Sequence, residues 1–189
     1  MNHTGTKQIE TERLILRKFS LDDVSDAYNN WLSDPDVAKY MQWDAHTDIE
    51  QTNQYYKDIL IEKYEKNDFY QWAIVLKEDN QVIGAVGFDI KNEYDSVADI
   101  SYALCKRFWN NGIMSEALTA VVYYALNVVE INRLEAFHAV ANPSSGRVLQ
   151  KAGLKYEGHA RQKYRNRYRG FEDCDTYAIL RDDLITETE

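Results

Sequence analysis

One stretch of the chain combines the residue types that bind anions through the backbone. Trp109–Ser115 contains two asparagines and a glycine, and it lies between an alternating apolar run at 98–104 and a helical apolar stripe at 113–126. The first run predicts a strand and the second a helix. A strand that turns through Asn-Asn-Gly into a helix leaves several backbone N–H groups unpaired, and the helix dipole adds partial positive charge there. We therefore predict a site for phosphate oxygens at this turn.

Residues 109–117 also resemble the acyl-CoA pyrophosphate loop of the GCN5-related N-acetyltransferases (GNAT), and look closest to the branch that includes the ribosomal-protein N-terminal alanine acetyltransferases. In that family the loop usually begins Trp-Gly-x-Gly and ends Thr/Ser-Glu-Ala. Asn110 replaces the first glycine, and Met114 occupies a position that is more often Gly or Ala. Asparagine tolerates left-handed backbone, whereas the side chain of Met114 must point away from the phosphates.

The resemblance extends along most of the chain. Residues 11–17, together with the turn at 34–37, resemble the start of the same branch, and residues 173–180 resemble its closing strand. Residues 142–153 resemble the family motif Asn-x-x-Ser-x-Arg-Val-Leu-x-Lys-x-Gly-Phe, with Leu154 in the Phe place. The resemblance implies an α+β acyl-CoA N-acyltransferase (GNAT) fold, in which a mixed, mostly antiparallel sheet is flanked by helices. It also implies an acyltransferase that uses acetyl-CoA as co-substrate.

The same resemblance assigns the acetyl-CoA site. In the family, backbone groups of the central strand pair with the pantetheine amides, and the Asn-x-x-Ser motif flanks the pantetheine arm. The three strand residues are expected to act through backbone atoms, with side chains that matter little to the chemistry. The predicted acetyl-CoA-binding residues are Tyr102, Ala103, Leu104, Trp109, Asn110, Asn111, Gly112, Ile113, Met114, Ser115, Asn142 and Arg147.

Acetyl transfer to an amine needs one group that takes the amine proton and another that protonates the departing thiolate. Asp99 lies where the family often places a glutamate, so it is the candidate base; the alternative is an exposed carboxylate at a strand end. Ser145, the serine of the Asn-x-x-Ser motif, is the candidate acid, or else a first-turn helix serine bonded to the backbone. Tyr164 and Tyr177 are alternative proton donors.

The acceptor side is less specific. The resemblance places the segment 40–47 beside the acceptor, which makes Tyr40, Trp43 and His46 candidate substrate-binding residues; aromatic packing is the alternative. At pH 7, deprotonating an α-amine of pKa near 8 costs about 1.4 kcal/mol, against about 4.6 kcal/mol for a lysine-type amine. A protein N-terminal α-amine is therefore the easier acceptor, but small-molecule amines stay open. The resemblance is also compatible with a homodimer.

Residues 161–169 concentrate arginine, lysine and tyrosine inside an acidic protein. This basic stretch is compatible with binding to RNA, to an acidic protein or to the phosphates of the coenzyme. The alternative is a solvated hairpin edge that its charge protects from aggregation. Two other functions therefore compete with acetyl transfer. One is a non-catalytic acyl-CoA-binding protein of the same fold, and the other is an RNA- or ribosome-associated module that uses residues 161–169.

Composition bounds these readings. The 189 residues predict a flexible tail at 1–10 and a single N-acetyltransferase domain at 11–182. The net charge of −9 disfavours general nucleic-acid binding and suits an amine. The two cysteines have no metal-ligand spacing, so no metal is expected. No apolar run reaches the roughly 20 residues that cross a bilayer, and the first residues lack a signal core. We therefore expect a cytoplasmic protein without a membrane partner.

Hydrophobic periodicity predicts the elements that position these residues. Glycines at 84 and 87 within a strand indicate a close approach of neighbouring backbone or a bulge. Strands are predicted at 12–17, 72–76, 82–88, 99–104, 133–140, 154–157, 160–165 and 173–180, and helices at 20–32, 48–65, 113–126 and 142–153.

Overall fold

The computed structural model describes residues 1–185, and an eight-stranded sheet forms its centre. The strands are β1 (Ile9–Glu10), β2 (Leu14–Arg17), β3 (Tyr70–Leu76), β4 (Val82–Asn92), β5 (Val97–Leu104), β6 (Arg133–Ala139), β7 (Lys155–Asn166) and β8 (Gly170–Leu180). They lie in the order β1-β2-β3-β4-β5-β6-β8-β7. The pair β5–β6 is parallel and the other pairs are antiparallel.

Helices cover both faces of the sheet. They are α1 (Val24–Ala27), α2 (Pro35–Ala38), α3 (Ile49–Tyr55), α4 (Ile113–Asn127), α5 (Pro143–Lys151) and α6 (Arg181–Ile185). Wider helical turns extend α1 to Leu32 and α3 to Ile61. One apolar cluster joins α4 and α5 to the sheet, and a second joins the segments around α1 and α3 to it. This arrangement confirms the predicted α+β architecture. In the described part of the chain, none of the helices has the length and apolarity to cross a membrane.

Local packing explains two details of the sheet. A Cβ on Gly84 would lie 2.4 Å from the carbonyl oxygen of Ala103, and one on Gly87 would lie 2.3 Å from that of Tyr70. The predicted close backbone approach is therefore confirmed. The two strands predicted at 154–157 and 160–165 form the single strand β7, because its ladder with β8 continues through two register shifts.

The first ten residues, expected to be a flexible tail, are held against the domain. The backbone N–H of Asn2 donates to the carbonyl of Val129 at 2.7 Å, and the indole of Trp72 donates to the carbonyl of Lys7 at 2.6 Å. Thr6 is buried, and β1 pairs with β2. The expected tail is not seen because backbone groups of this segment bond to distant residues, and such bonds leave no pattern in the local sequence. Trp72, for example, is 65 positions from its acceptor, Lys7.

The parallel strands β5 and β6 separate along their length. They are paired over Val97–Asp99 and Arg133–Glu135, although β5 continues to Leu104 and β6 to Ala139. Beyond the paired residues, the facing edges of the two strands leave backbone groups free. We call the space between them the β5–β6 gap. An extended ligand with amide groups can pair with such an edge as an added strand does.

Candidate active site

The turn after β5 has the geometry that an anion site requires. Asn110 and Gly112 have φ angles of 62° and 75°, and α4 begins directly afterwards, at Ile113. Gly112 has no side chain that could cap α4, so the first N–H groups of the helix are open to a ligand. Met114 is 5% exposed and lies in the core, which confirms that its side chain points away from the turn.

The backbone of this turn contributes positive potential. Trp109 anchors the turn, because its indole N–H donates to a carbonyl at the end of β5 at 2.8 Å. The neighbouring cations have other partners: Lys106 forms an ion pair with Asp36, and the guanidinium of Arg107 lies 4.8 Å from the ring centre of Phe108. The unpaired N–H groups at the start of α4 and the dipole of the helix therefore remain to attract an anion.

A pair of hydroxyl groups joins β5 to α5. The hydroxyl oxygens of Tyr102 and Ser145 lie 2.7 Å apart. Burial raises the pKa of Tyr102 to about 12, although the hydrogen bond with Ser145 opposes the rise. The phenol therefore keeps its proton at neutral pH. The Tyr102 side chain was expected to matter little to the chemistry, and the structure shows that it makes a specific contact with Ser145. The two residues are 43 positions apart, so no local pattern could show the contact.

The other predicted residues of this face surround α5. Asn142 precedes the helix, and its backbone N–H donates to the carbonyl of Ala139 at 2.7 Å. Arg147 donates to the hydroxyl of Ser144 at 2.8 Å, on the exposed surface of the helix. Tyr177 is buried on β8, and burial raises its pKa. Of the two alternative proton donors, Tyr177 is therefore the one on the α5 side.

Asp99 lies on the opposite face of the sheet. Side chains alternate along a strand, so Asp99 shares the face of Ala103, whereas Tyr102 points the other way. Ala103 packs against the cluster that contains the α1 and α3 segments, and Tyr102 contacts Ser145 on α5. The candidate base and the hydroxyl pair therefore face the β5–β6 gap from opposite sides.

A row of carboxylates crosses three strands on the Asp99 face. Asp99 is paired with Asp89 on β4 and with Glu135 on β6. The ammonium of Lys91 lies 3.1 Å from Asp99 and 3.2 Å from Glu135. Burial raises the pKa of Asp89, although the charge of Lys63 opposes the rise. Within residues 1–185, no group of three or more His, Cys, Asp or Glu residues is arranged to hold a metal ion.

The segment 36–46 bounds the gap on this face. Its residue Asp36 is ion-paired with Lys106, just after β5. Further along, the hydroxyl of Tyr40 donates to the carbonyl of Ala141, just after β6, at 3.0 Å. The segment therefore spans the open end of the β5–β6 gap. Among the predicted substrate-binding residues, Tyr40 is the one tied to the end of β6.

Trp43 and His46 lie farther along the same segment and pack together. Their ring centres are 6.5 Å apart, and Nδ1 of His46 lies 2.7 Å from the hydroxyl of Thr52. Burial lowers the pKa of His46, so its imidazole is neutral at pH 7. These contacts fix the shape of the segment 36–46.

The hairpin β7–β8 holds the same segment from the other side. The hydroxyl of Tyr164 donates to the carbonyl of Met41 at 2.7 Å, and the amide of Asn166 donates to the carbonyl of Lys39 at 2.8 Å. The hydroxyl of Tyr164 is therefore occupied on the Asp99 face, away from the hydroxyl pair. These contacts join residues 123 and 127 positions apart.

The basic stretch 161–169 forms part of this hairpin. Arg167 is ion-paired with Asp44 at 2.5 Å, and the guanidinium of Arg169 lies 5.2 Å from the ring centre of Tyr40. The Nε atom of Arg169 is also 2.6 Å from Glu172, a buried carboxylate on β8 that sequence reasoning missed. Two of the arginines are therefore engaged within the protein, which removes charge that an RNA contact would need.

The two faces of the gap offer different chemistry. On the α4–α5 face there are free backbone N–H groups, an open strand edge and a hydroxyl pair; on the other face there are carboxylates and an aromatic-rich segment. A diphosphate-bearing thioester with an amide arm fits the first face, and an amine fits the second. The fold and this site together define an acyl-CoA-type N-acyltransferase.

Comparison with known proteins gives the same class. The chain belongs to the GNAT acetyltransferase family, since the family model described as an acetyltransferase (GNAT) domain matches residues 13–155. It is 34% identical over 151 residues to an uncharacterized N-acetyltransferase of Bacillus licheniformis, covering 78% of this chain and 82% of that protein. A solved GNAT-family acetyltransferase from Bacillus anthracis superposes with a TM-score of 0.80 at 26% identity, covering 93% and 99% of the two chains. A ribosomal-protein-serine acetyltransferase of Escherichia coli is 29% identical over 110 residues, or 58% of this chain and 60% of that protein.

Proposed function

We propose that the protein transfers the acetyl group of acetyl-CoA to a primary amine by direct attack within a ternary complex. The observation that carries this proposal is the end of β5–β6 pairing at Asp99 and Glu135, combined with the uncapped start of α4 beyond β5. A pantetheine arm can add to the open edge of β5 while the diphosphate meets the N–H groups of α4. The amine then approaches from the other face.

The residues of the turn suit a diphosphate. Among the described residues, a Cβ added to Gly112 would have only the guanidinium of Arg13 within 4 Å, at 3.5 Å. The backbone of the turn is therefore open to a ligand at this position. We assign the diphosphate to the amides of Asn111–Ser115, and the pantetheine arm to the backbone of Tyr102–Leu104 with Asn142 and Arg147 beside it. Acetyl-CoA supplies the thioester; the protein supplies the donors that hold it.

Asp99 is assigned as the base. It is the last residue of β5 that pairs with β6, so its carboxylate lies at the closed end of the gap and on the acceptor face. It takes the proton of the amine directly or through a water molecule. The ion pair with Lys91 at 3.1 Å holds the carboxylate in place.

Ser145 and Tyr102 are assigned to the departing thiolate. When the phenol of Tyr102 donates to the Ser145 hydroxyl, 2.7 Å away, the proton of Ser145 is free to pass to the sulfur. The raised pKa of Tyr102, about 12, keeps the phenol protonated throughout, so it remains a hydrogen-bond donor, and Ser145 regains its proton from solvent. Asp99 and Ser145 thus act from opposite faces of the sheet, so the proton taken from the amine and the proton given to the thiolate move on separate sides of the gap.

The proposed acceptor is a protein N-terminal α-amine or a small-molecule amine of similar basicity. Such an amine needs about 3 kcal/mol less than a lysine-type amine to become neutral at pH 7. The Escherichia coli relative is named as a ribosomal-protein-serine acetyltransferase, which supports a protein acceptor. Tyr40, Trp43 and His46 are the proposed substrate-binding residues.

A thiol-release assay with acetyl-CoA tests the proposal. The panel contains peptides with varied N-terminal residues, small amines and diamines. We expect acetyl-CoA to raise the Tm and at least one α-amine to release free thiol. A raised Tm without turnover on the whole panel would favour a non-catalytic acyl-CoA-binding protein. No change of Tm and no turnover would overturn the proposal.

A further inference from the structure

The turn that seats the diphosphate has little support within its own sequence. Asn110 and Gly112 are both in left-handed backbone, a conformation that asparagine adopts at a cost. Residues 109–112 are exposed, so burial does not hold them. Hydrogen bonds within this stretch hold only its two ends. At one end the indole of Trp109 donates to a carbonyl of β5, and at the other the backbone N–H of Glu116 donates to the carbonyl of Gly112 at 3.0 Å. The centre of the turn needs a support from elsewhere.

Strand β2 and the turn before it provide that support. The carboxylate of Glu116, in the first turn of α4, accepts from the hydroxyl of Thr11 at 2.6 Å and from the backbone N–H of Arg13 at 2.9 Å. It also accepts from Nε of Arg13 at 2.7 Å. The same guanidinium donates through Nη1 to the carbonyl of Asn111 at 3.0 Å. We call Thr11, Arg13 and Glu116 the β2–α4 brace.

The brace also solves an electrostatic problem. A carboxylate in the first turn of α4 is favoured by the helix dipole, but it lies next to the place proposed for a diphosphate. Burial opposes the ionisation of Glu116, yet hydrogen bonds from Thr11 and Arg13 keep its pKa below the usual value. The carboxylate is therefore charged, and the guanidinium of Arg13 neutralises it. Without that guanidinium, the carboxylate would repel the diphosphate.

We propose that Arg13 and Glu116 are positioning residues for acetyl-CoA: Glu116 orients the guanidinium of Arg13, which fixes the Asn111 carbonyl and so aims the amides of the turn. The inference rests on the proposed function, because it assigns the diphosphate to this turn. Nε and Nη1 of Arg13 are both used, and this planar fork is a geometry that lysine cannot reproduce.

The test compares Arg13→Met, Arg13→Lys and the double variant Arg13→Met/Glu116→Gln by titration with acetyl-CoA. Arg13→Met should raise the Kd about tenfold, the loss expected when charge-assisted hydrogen bonds are removed. Arg13→Lys should restore only part of the affinity, because it returns the charge without the fork. The double variant should bind more tightly than Arg13→Met, because the unpaired carboxylate is gone.

Arg17→Met is the matched control. It breaks another Arg–carboxylate pair, the one that Arg17 at the end of β2 forms with Asp23 at 2.7 and 2.8 Å, which makes no contact with the turn. It should lower the Tm and leave the acetyl-CoA Kd unchanged. In the protein without ligand, hydrogen exchange of amides 110–115 should speed up in Arg13→Met and not in Arg17→Met.

The outcomes separate the inference from the proposed function. If the wild type binds acetyl-CoA and Arg13→Met binds it equally well, the brace has no positioning role. If Arg13→Lys binds acetyl-CoA as tightly as the wild type, a positive charge alone is sufficient, and the positioning claim is overturned. If Arg17→Met weakens acetyl-CoA binding as much as Arg13→Met does, the weaker binding of both variants reflects a general loss of stability, and the brace has no specific role. If the wild type does not bind acetyl-CoA at all, the proposed function falls and this inference with it.

Discussion

The two halves of the candidate site are built from different kinds of sequence. On the donor half, the turn and the start of α4 come from one continuous stretch, 105–116, and they present backbone groups. On the acceptor half, the segment 36–46 is held by the hairpin β7–β8 through contacts that span 123 to 127 positions. In the first half one stretch supplies the backbone groups that face the ligand, and Arg13 supports that stretch from a distance. The second half is assembled from side-chain contacts between distant residues.

This difference predicts which quantity each mutation changes. Changes to the donor half should alter the affinity for acetyl-CoA, because that half offers amides and a strand edge. Changes to the acceptor half should alter turnover or the KM of the amine. A donor-half variant that changes the KM of the amine, or an acceptor-half variant that changes the affinity for acetyl-CoA, would show that the two halves are coupled through the β5–β6 gap.

The largest effect is expected for Gly112→Asp. The new carboxylate would lie where the diphosphate docks, and an L-residue at φ 75° is strained. We expect the Kd of acetyl-CoA to rise about 100-fold or more, a change of about 2.7 kcal/mol. Gly170→Asp is the control, since Gly170 has φ 78° and open space around it. Unchanged acetyl-CoA affinity in Gly112→Asp would remove the turn from the site.

Asp99→Asn should give the next largest effect. Loss of a general base lowers turnover by about 100-fold or more, while the acetyl-CoA Kd should stay unchanged because Asp99 faces the acceptor. Steady-state kinetics with a saturating amine measure this. Asp95→Asn, in the turn between β4 and β5, is a control that should behave like the wild type. Wild-type turnover in Asp99→Asn across the pH range would exclude Asp99 as the base.

Asn166→Ala tests how the acceptor half is held. The Asn166 side chain is 1% exposed, and it bonds the Lys39 carbonyl and the N–H groups of Tyr168 and Arg169. Its loss leaves buried groups unpaired, so we expect a loss of about 1–3 kcal/mol in the free energy of unfolding. The KM of the amine should rise several-fold. An increase in the acetyl-CoA Kd instead would contradict the division between the halves.

His159→Gln should give the smallest effect, limited to the pH dependence of stability. The carboxylates of Asp175 and Asp173 raise the pKa of His159. The raised pKa in the folded state means that the stabilisation is full below the unfolded pKa of about 6.5. It is lost as pH rises through the folded pKa.

Thermal denaturation at about pH 5.5 and about pH 8.5 measures this effect. The Tm advantage of the wild type over His159→Gln should be present at the lower pH and shrink at the higher one. A Tm difference that does not change with pH would mean that the imidazole is not held as an ion by these carboxylates. Acetyl-CoA affinity should be the same in both proteins.

The donor half could be predicted from sequence because its signals are local. Strand periodicity, the Asn-Asn-Gly turn and the helical stripe after it specify the left-handed residues Asn110 and Gly112 and the start of α4. The same holds for α5, where Pro143 follows Asn142 and Gly153 follows the last turn. The family of the chain and the α+β fold followed from these stretches.

The acceptor half could not be predicted in the same way. The support of the segment 36–46 by Tyr164 and the position of Glu172 depend on which strands become neighbours. On the donor half, the contact of Tyr102 with Ser145 likewise depends on tertiary neighbours. The docked N-terminal segment was missed for the same reason. Single positions such as Asp99 and Tyr40 could be named from a resemblance, but which face of the sheet each occupies required the register of the strands.

A crystal structure of the protein with acetyl-CoA bound is the most direct test of the central claim. The account predicts that the diphosphate lies within hydrogen-bonding distance of the amides of Asn111–Ser115 and that the pantetheine arm runs along β5 in the β5–β6 gap. A diphosphate bound elsewhere, with this turn and the edge of β5 free of ligand, would contradict it.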